Sequence, residues 1–399
     1  MADEAHIFRW IDAQEERMIR LLKEWSSINS FTENTHGLQQ MLEALSKEFS
    51  VLGGTLEQID LLPHPTTEPN GVRAFHPTGR ALHIIKRPQA AKRVLLGGHM
   101  DTVYKPSEHP ILPQIFERHK LKGQGVADMK GGLIILLVAL QAFEQHSHSS
   151  NLGWEVVISP DEEIGSPAAE ELWKAAAKRN HVGLLFEPAF PDGALVDERG
   201  GSANWSIFAK GISAHSGRDF HRGRNAIVAL ASWIQTVVKL NEKKEATLNI
   251  GSIGGGGPVN IVADHAFCRA NARVKSTESF EFIDKRLHRE AEKLSVDGIH
   301  LSVHLDSYRA PKPLTPATKK LIETLNTCAK EEGYSLHYRA SSGVCDGNIV
   351  AEEGIPVLDS LGMIGEGLHT PEEWGDLESL RLRCRLVTRF LLHMGQTQE

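Results

Sequence analysis

The sequence predicts an α/β fold, with a mixed sheet covered by helices on both faces and a smaller α+β unit inserted into it. Three observations carry this. Before residue 200, short leucine-rich or β-branched runs alternate with helical stretches, as strands and crossover helices do. From about 200 to 308 the strands become half-exposed. After that, helix–strand alternation resumes.

Helical periodicity predicts one helix over 5–26 and another over 37–52, with Thr35 capping the second. ALHIIK (81–86), RVLLGG (93–98), WEVVIS (154–159) and VGLLF (182–186) read as strands. Helices at 129–147 and 167–178 separate the last three, and the near-continuous apolar character places their sheet between two helical layers. In the second unit, SANWSIFAKG (202–211), TLNIGSIGGGG (247–257), ANARV (270–274) and IHLSVHL (299–305) read as strands, with helices at 223–240 and 276–294. That strand–helix–strand–strand–helix–strand order suits a ferredoxin-like sandwich. SYRAPKPLTP (307–316) is the return linker, before a helix at 316–332, a strand at 356–361 and a last helix at 375–394. The expected division is 1–198 with 309–399 as one discontinuous domain, and 199–308 as the insertion.

At 399 residues the chain is too long for one ordinary core. Its 41% hydrophobic and 24% charged residues are those of a globular protein, and a net charge of -7 gives no footprint for nucleic acid or an anionic membrane. GGLIILLVALQAF (131–143), the longest apolar stretch, reads as a buried helix rather than a span. The N-terminus has no basic and apolar leader pattern, so a cytoplasmic location is expected. Cys268, Cys328, Cys345 and Cys384 show no CxxC spacing and read as reduced thiols.

In open α/β sheets, functional groups gather beyond the carboxyl ends of strands. VLLGG leads to His99 and Asp101, GQGVADMKGG carries Asp128, VVISPDEEIGS carries Glu162 and Glu163, LLFEPAF carries Glu187, and GEGLHTPEEW carries His369. Each alone has an ordinary explanation: a helix cap, solvated charge or a surface histidine. Together, two histidines and several carboxylates form a ligand set for zinc or cobalt. Two close metals need a bridging carboxylate, for which Asp128 is the central candidate. Each metal then takes one histidine and one carboxylate. Of Glu162 and Glu163, pointing different ways from an extended segment, one can ligate while the other stays free as a general base. Asp101 can accept the second ring N–H of His99 and fix its tautomer. No G-x-S-x-G elbow supports a serine nucleophile, and GGGG (254–257) lacks the Lys-Ser/Thr of a phosphate loop. Cys345 reads as a buried thiol.

GGHMDTV, GVADMKGG, DEEIGS, FEP, SAHSG and HTPEEW, in this order, resemble the zinc aminoacylase and carboxypeptidase family. Its members include glutamate carboxypeptidase, acetylornithine deacetylase and succinyl-diaminopimelate desuccinylase. SSGVCDGN (341–348) and the layout of the insertion look most like the bacterial glutamate carboxypeptidases. The resemblance implies two zinc ions per subunit, with cobalt as a possible substitute. It places His99 and Glu187 on one, Glu163 and His369 on the other, and Asp128 between them. It implies Glu162 as general base and acid, Asp101 behind His99, and a cis peptide between Asp128 and Met129. The insertion would be a lid and homodimer interface, sending His215 into the partner's site to stabilise an oxyanion. Arg273 and Asn260 would hold a substrate carboxylate, and Gly343 would line the substrate loop. Asn271 stands where many relatives have aspartate, and Cys345 where they often have a small residue. The activity implied is hydrolysis of an amide beside a free carboxylate, in a small peptide or an N-acyl amino acid. The alternatives are an N-acyl-amino-acid deacylase with the same chemistry, or a noncatalytic ligand-binding member.

Overall fold

The computed structural model describes residues 3–106, 112–117, 119–243 and 246–396. Its central sheet has six strands in the order Thr55–Ile59, Ala81–Lys86, Leu152–Ser159, Lys92–His99, Val182–Leu185 and Val357–Leu358. The last four run parallel and Ala81–Lys86 runs antiparallel to both its neighbours, so the sheet is mixed as expected. Leu152–Ser159 is buried at every residue, which an apolar run covered on both faces requires.

The helix Gly131–Phe143 explains its own composition. Every residue except Gln141 is buried, so no polar face is needed. It lies in the main core with the C-terminal helix Leu377–Gln396, where Thr388 Oγ1 donates to the Ala139 carbonyl at 3.4 Å. Its glycine start is a packing requirement: a Cβ at Gly132 would stand 2.0 Å from the Phe186 carbonyl oxygen. That contact seats the helix against the strand end that carries Glu187.

A second, four-stranded antiparallel sheet has the order Ala246–Gly255, His265–Val274, Gly201–Lys210 and His300–Arg309. The helices Ala226–Val237 and Thr277–Leu294 close a core of its own around Trp205, Trp233, Leu230 and Leu287. The strand expected at 270–274 begins at His265. Its inward positions are Ala266, Cys268, Ala270 and Ala272, so small side chains hide the alternation that marks a half-buried strand.

Three further differences have local causes. The expected helix 5–26 is two, Glu4–Asp12 and Glu15–Ser26, because the Gln14 N–H turns back to the Ile11 carbonyl in a tighter turn. The helix cap is Asn34 and not Thr35: Asn34 Oδ1 accepts from the Gly37 N–H at 3.2 Å, and Thr35 is already helical. Several short pairings went unforeseen, among them the hairpin His64–Thr67 with Arg73–His76 and the small sheet of Gln114–Phe116, Lys120–Lys122, Trp374–Asp376 and Gly365–Glu366. Each is two to four residues long, too short to show a period.

The cap assignment is checkable. Asn34→Ala should cost about 0.5–2 kcal/mol in urea unfolding, and Thr35→Ala clearly less.

Candidate metal centre

The carboxyl ends of three parallel strands bring the first donors together. His99 ends its strand, the turn Glu162–Ile164 follows Ser159, and Glu187 follows Leu185. His99 Nδ1 lies 3.1 Å from the Asp101 carbonyl oxygen and 3.3 Å from Asp101 Oδ1. The Asp101 carboxylate, fully buried, also accepts from Thr32 Oγ1 at 2.7 Å and from the backbone N–H groups of Glu162 and Glu163 at 3.1 and 3.2 Å. The glutamate pair is thus not extended. It forms a 3₁₀ turn whose exposed N–H groups need an acceptor, and Asp101 is that acceptor.

Asp128 sits in the turn Val126–Lys130, and the peptide that follows it is cis. Its two oxygens face different imidazoles: Oδ1 is 3.1 Å from His99 Nε2, and Oδ2 is 3.3 Å from His369 Nε2. His369 Nε2 is also 3.1 Å from Glu163 Oε2. Donor atoms of His99, Asp128 and Glu163 lie within 4.8 Å of one another. Glu187 is buried in the wall of the same cavity, of about 540 Å³, and its Oε1 has no hydrogen-bond partner among the described residues.

Sequence reading missed the group that shapes the Asp128 turn. Buried Glu373 accepts from the Ala127 and Asp128 N–H groups through Oε1, at 2.9 and 3.0 Å. Its Oε2 accepts from the Gly125 N–H at 2.9 Å and the Tyr104 hydroxyl at 2.6 Å. The signal was in HTPEEW, but acidic neighbours there look like ordinary surface charge. His369, four residues earlier, has φ +61°, an uncommon conformation for a side-chain-bearing residue, held in a turn whose Thr370 N–H reaches the Gly367 carbonyl at 3.1 Å.

Arg309 is the second omission. It ends the last strand of the second sheet and is buried, and its Nη1 donates to Glu162 Oε1 at 2.8 Å. Nη2 donates to Ser166 Oγ at 2.6 Å and Asp346 Oδ1 at 3.2 Å. Gly343 lines the cavity, and its carbonyl accepts from Arg199 Nη1 at 3.1 Å. Cys345 caps the helix Asp346–Glu352 by accepting from the Gly347 N–H, and burial pushes its thiol well above the usual range. That suits a structural thiol, not a nucleophile.

The single chain does not bring His215, Asn260 and Arg273 to this cluster. Arg273 is exposed opposite Ser202, which pairs in turn with Arg309, so it stands two strands from Arg309, about 10 Å away. His215 and Asn260 lie together beyond the other end of the sheet, where Ser216 N–H reaches the Asn260 carbonyl at 3.0 Å. Ser202 and Lys210 are the pairing rows at the two ends, about 27 Å apart. His215 is exposed, and its Nδ1 accepts from the Gly217 and Arg218 N–H groups at 3.1 and 3.2 Å. In the neutral ring this leaves Nε2 as the proton-bearing donor.

The donor set fits divalent cations. Burial, then the Asp128 charge, pushes Glu163 up to about 8, and burial pushes Glu187 well above the carboxylate range. Hydrogen bonds to Asp128 and Glu163 raise His369 to about 11. Burial opposes a charged His99, but hydrogen bonds to Asp101 and Asp128 raise it well above its usual value. Carboxylates crowded out of water demand positive charge among them, and borderline-hard ions take this mix of imidazole and carboxylate. Removing Asp101 should therefore weaken metal retention: Asp101→Ala should lower affinity about 10–100-fold in chelator competition.

The comparisons with known proteins agree with this chemistry. The chain is 27% identical to carboxypeptidase G2 of Pseudomonas sp. (strain RS-16) over 311 residues, covering 77% of this chain and 75% of that one. It is 24% identical to a succinyl-diaminopimelate desuccinylase of Thioalkalivibrio sulfidiphilus over 333 residues, covering 77% and 85%. Its fold matches an M20 family metallo-carboxypeptidase of Sulfolobus solfataricus with TM-score 0.71, at 16% identity over 95% and 99% of the two chains. It matches the aminopeptidase PepT of Bacillus cereus with TM-score 0.68, at 22% identity over 96% and 99%. A match to the family description extends from residue 95 to residue 393, and the chain belongs to peptidase family M20/M25/M40.

Proposed function

We propose that this enzyme is a dinuclear zinc-dependent hydrolase of an amide bond beside a free carboxylate, a carboxypeptidase releasing a C-terminal amino acid such as glutamate. The observation that carries the reading is Asp128, whose two oxygens each face a separate imidazole within 3.3 Å. His99 and Glu187 would hold one ion, Glu163 and His369 the other, with Asp128 shared and cobalt a workable substitute. When bound, the ions supply Lewis acidity toward the scissile carbonyl and lower the pKa of water.

The remaining work falls to the chain. Glu162 takes the proton of the attacking water and returns it to the leaving amine. Its Oε1 is held by Arg309, which keeps the carboxylate pointed at the cleft and leaves Oε2 for the proton. Asp101 fixes the His99 ring and the turn that carries both glutamates. Arg273 holds the substrate carboxylate, for which the guanidinium fork is suited, with Asn260 supplied by a second copy of the chain, and Gly343 contacts the substrate from the opposite wall.

Residues 199–308 act in this reading as a lid and as the interface of a homodimer. Two observations support it. His215 and Asn260 stand about 27 Å along the sheet from the row that carries Arg309, beyond reach of their own cluster. Around them the surface is unusually apolar: Val259, Phe220, Val228 and Ile253 are all more than half exposed. A second copy covering that patch would receive His215 as an oxyanion donor through Nε2. We place the enzyme in the cytoplasm, in keeping with four unpaired, buried cysteines.

Zinc-loaded protein should release an amino acid from a panel of N-acyl and N-peptidyl amino acids, and a chelator should abolish that release. The panel also separates a carboxypeptidase from an N-acyl-amino-acid deacylase. Glu162→Gln should keep its metal yet lose about 10²–10⁴-fold in kcat; full activity would remove Glu162 from the mechanism. Subunit sharing has its own check. Glu162→Gln and His215→Ala, mixed and reassembled, should recover about a quarter of wild-type activity, because half the dimers are mixed and each has one intact site. No recovery would overturn the sharing between subunits, and full activity of His215→Ala by itself would place His215 outside the reaction.

A further inference from the structure

The cavity that holds the carboxylate cluster takes none of its lining from the strands of the second sheet. Arg273 and Asn260, the proposed carboxylate anchors, lie outside that lining. This wall therefore meets the other side of the scissile bond, the acyl part. Pro188, Phe190, Val196, Val344 and Leu368 make it largely apolar.

Its charges are unequal. Arg199 is the one permanent cation among the described lining residues, and most of its donors are already engaged. Nε and Nη2 reach the buried Asp359 carboxylate at 2.6 and 3.2 Å, and Nη1 reaches the Gly343 carbonyl at 3.1 Å. A bidentate pair of this kind leaves little for a ligand carboxylate. Glu366, three residues before His369, lines the same cavity, is exposed, and has no ion pair or side-chain hydrogen bond among the described residues. Of the remaining acidic lining residues, Asp128, Glu163 and Glu187 belong to the proposed metal set and Glu162 is tied to Arg309. Arg339 stands outside, stacked 4.5 Å from the Phe190 ring centroid and paired with Asp192.

We propose that Glu366 selects substrates by acyl charge, favouring an aminoacyl group whose ammonium it can meet and disfavouring a dicarboxylic acyl group such as succinyl. This rests on the amide-hydrolase reading and names the substrate class within it. The apolar wall takes the methylenes of the acyl chain, and the ammonium gains a charge-assisted hydrogen bond. A succinyl carboxylate meets a like charge and no free cation. Because Glu366 is exposed, the selection is modest and falls with ionic strength.

The test uses three nearly isosteric amides of glutamate: β-alanyl-, butyryl- and succinyl-glutamate. With zinc-loaded enzyme at low salt, kcat/KM should fall in that order, with about two- to fivefold between neighbours. Glu366→Gln should collapse the ratio of β-alanyl to succinyl toward one, and Glu366→Asp should keep much of it. Binding of the same amides to zinc-loaded Glu162→Gln protein, read by calorimetry, should give the same order without turnover. Intact binding order with no hydrolysis in the wild type would count against the hydrolase reading alone. Equal affinities, a ratio unmoved by Glu366→Gln, or a succinyl preference that Arg339→Ala removes would overturn the charge selection.

Discussion

The site depends first on one buried carboxylate that touches no substrate in the proposed reaction. Asp101 has no exposed surface, yet it receives Thr32 Oγ1, two backbone N–H groups of the glutamate turn and the approach of the His99 ring. A buried anion is tolerable only when so many donors surround it. The same requirement works in reverse on the donors. The Glu162 and Glu163 N–H groups and the histidine ring all find their acceptor at one point, so three segments distant in sequence hold a common geometry. Arg309 holds the Glu162 side chain, and Asp101 holds the backbone between Glu162 and Glu163.

A similar economy holds the Asp128 turn. Glu373 receives three backbone N–H groups and a tyrosine hydroxyl, and burial pushes its carboxyl up to about 7. The segment from Gly365 to Glu373 thus carries His369 on one side and the brace for Asp128 on the other. His369 and the oxygen it faces are positioned by the same short stretch of chain. A shift of that stretch would move both together, which preserves their spacing.

Arg309 joins the two sheets chemically as well as covalently. It is the last residue of the second sheet's final strand, and its guanidinium reaches Glu162, in the turn after a strand of the first sheet, and Asp346, the first residue of the helix Asp346–Glu352. The position of the second sheet's last strand is therefore felt at the proposed base. Arg199 makes the comparable link on the cavity wall, from the strand Leu195–Arg199 to Asp359 and the Gly343 carbonyl. Its engagement leaves Glu366 as the charge that the acyl side of the cavity presents.

The sequence by itself determined the element types wherever apolar periodicity was strong: the parallel strands, the buried helix 131–143 and the strand–helix order of the second sheet. It also marked His99, Asp128, the pair Glu162 and Glu163, Glu187 and His369 as candidate donors, because strand ends in an α/β sheet are where such residues collect; only the family resemblance chose Glu163 from the pair. It could not show Asn34 in place of Thr35, since both residues cap helices and one hydrogen bond decides between them. It could not show the part of the second sheet's strand His265–Val274 from His265 to Arg269, where Ala266 and Cys268 replace the larger apolar residues that mark alternation. Glu373, Arg309 and Arg199 were invisible for a different reason. In sequence a charged residue looks solvated, and only the folded chain puts it out of water among partners more than a hundred residues away. Periodicity is a local property of the chain and can be read along it. Burial of charge is a property of what packs around it, and that exists only in three dimensions.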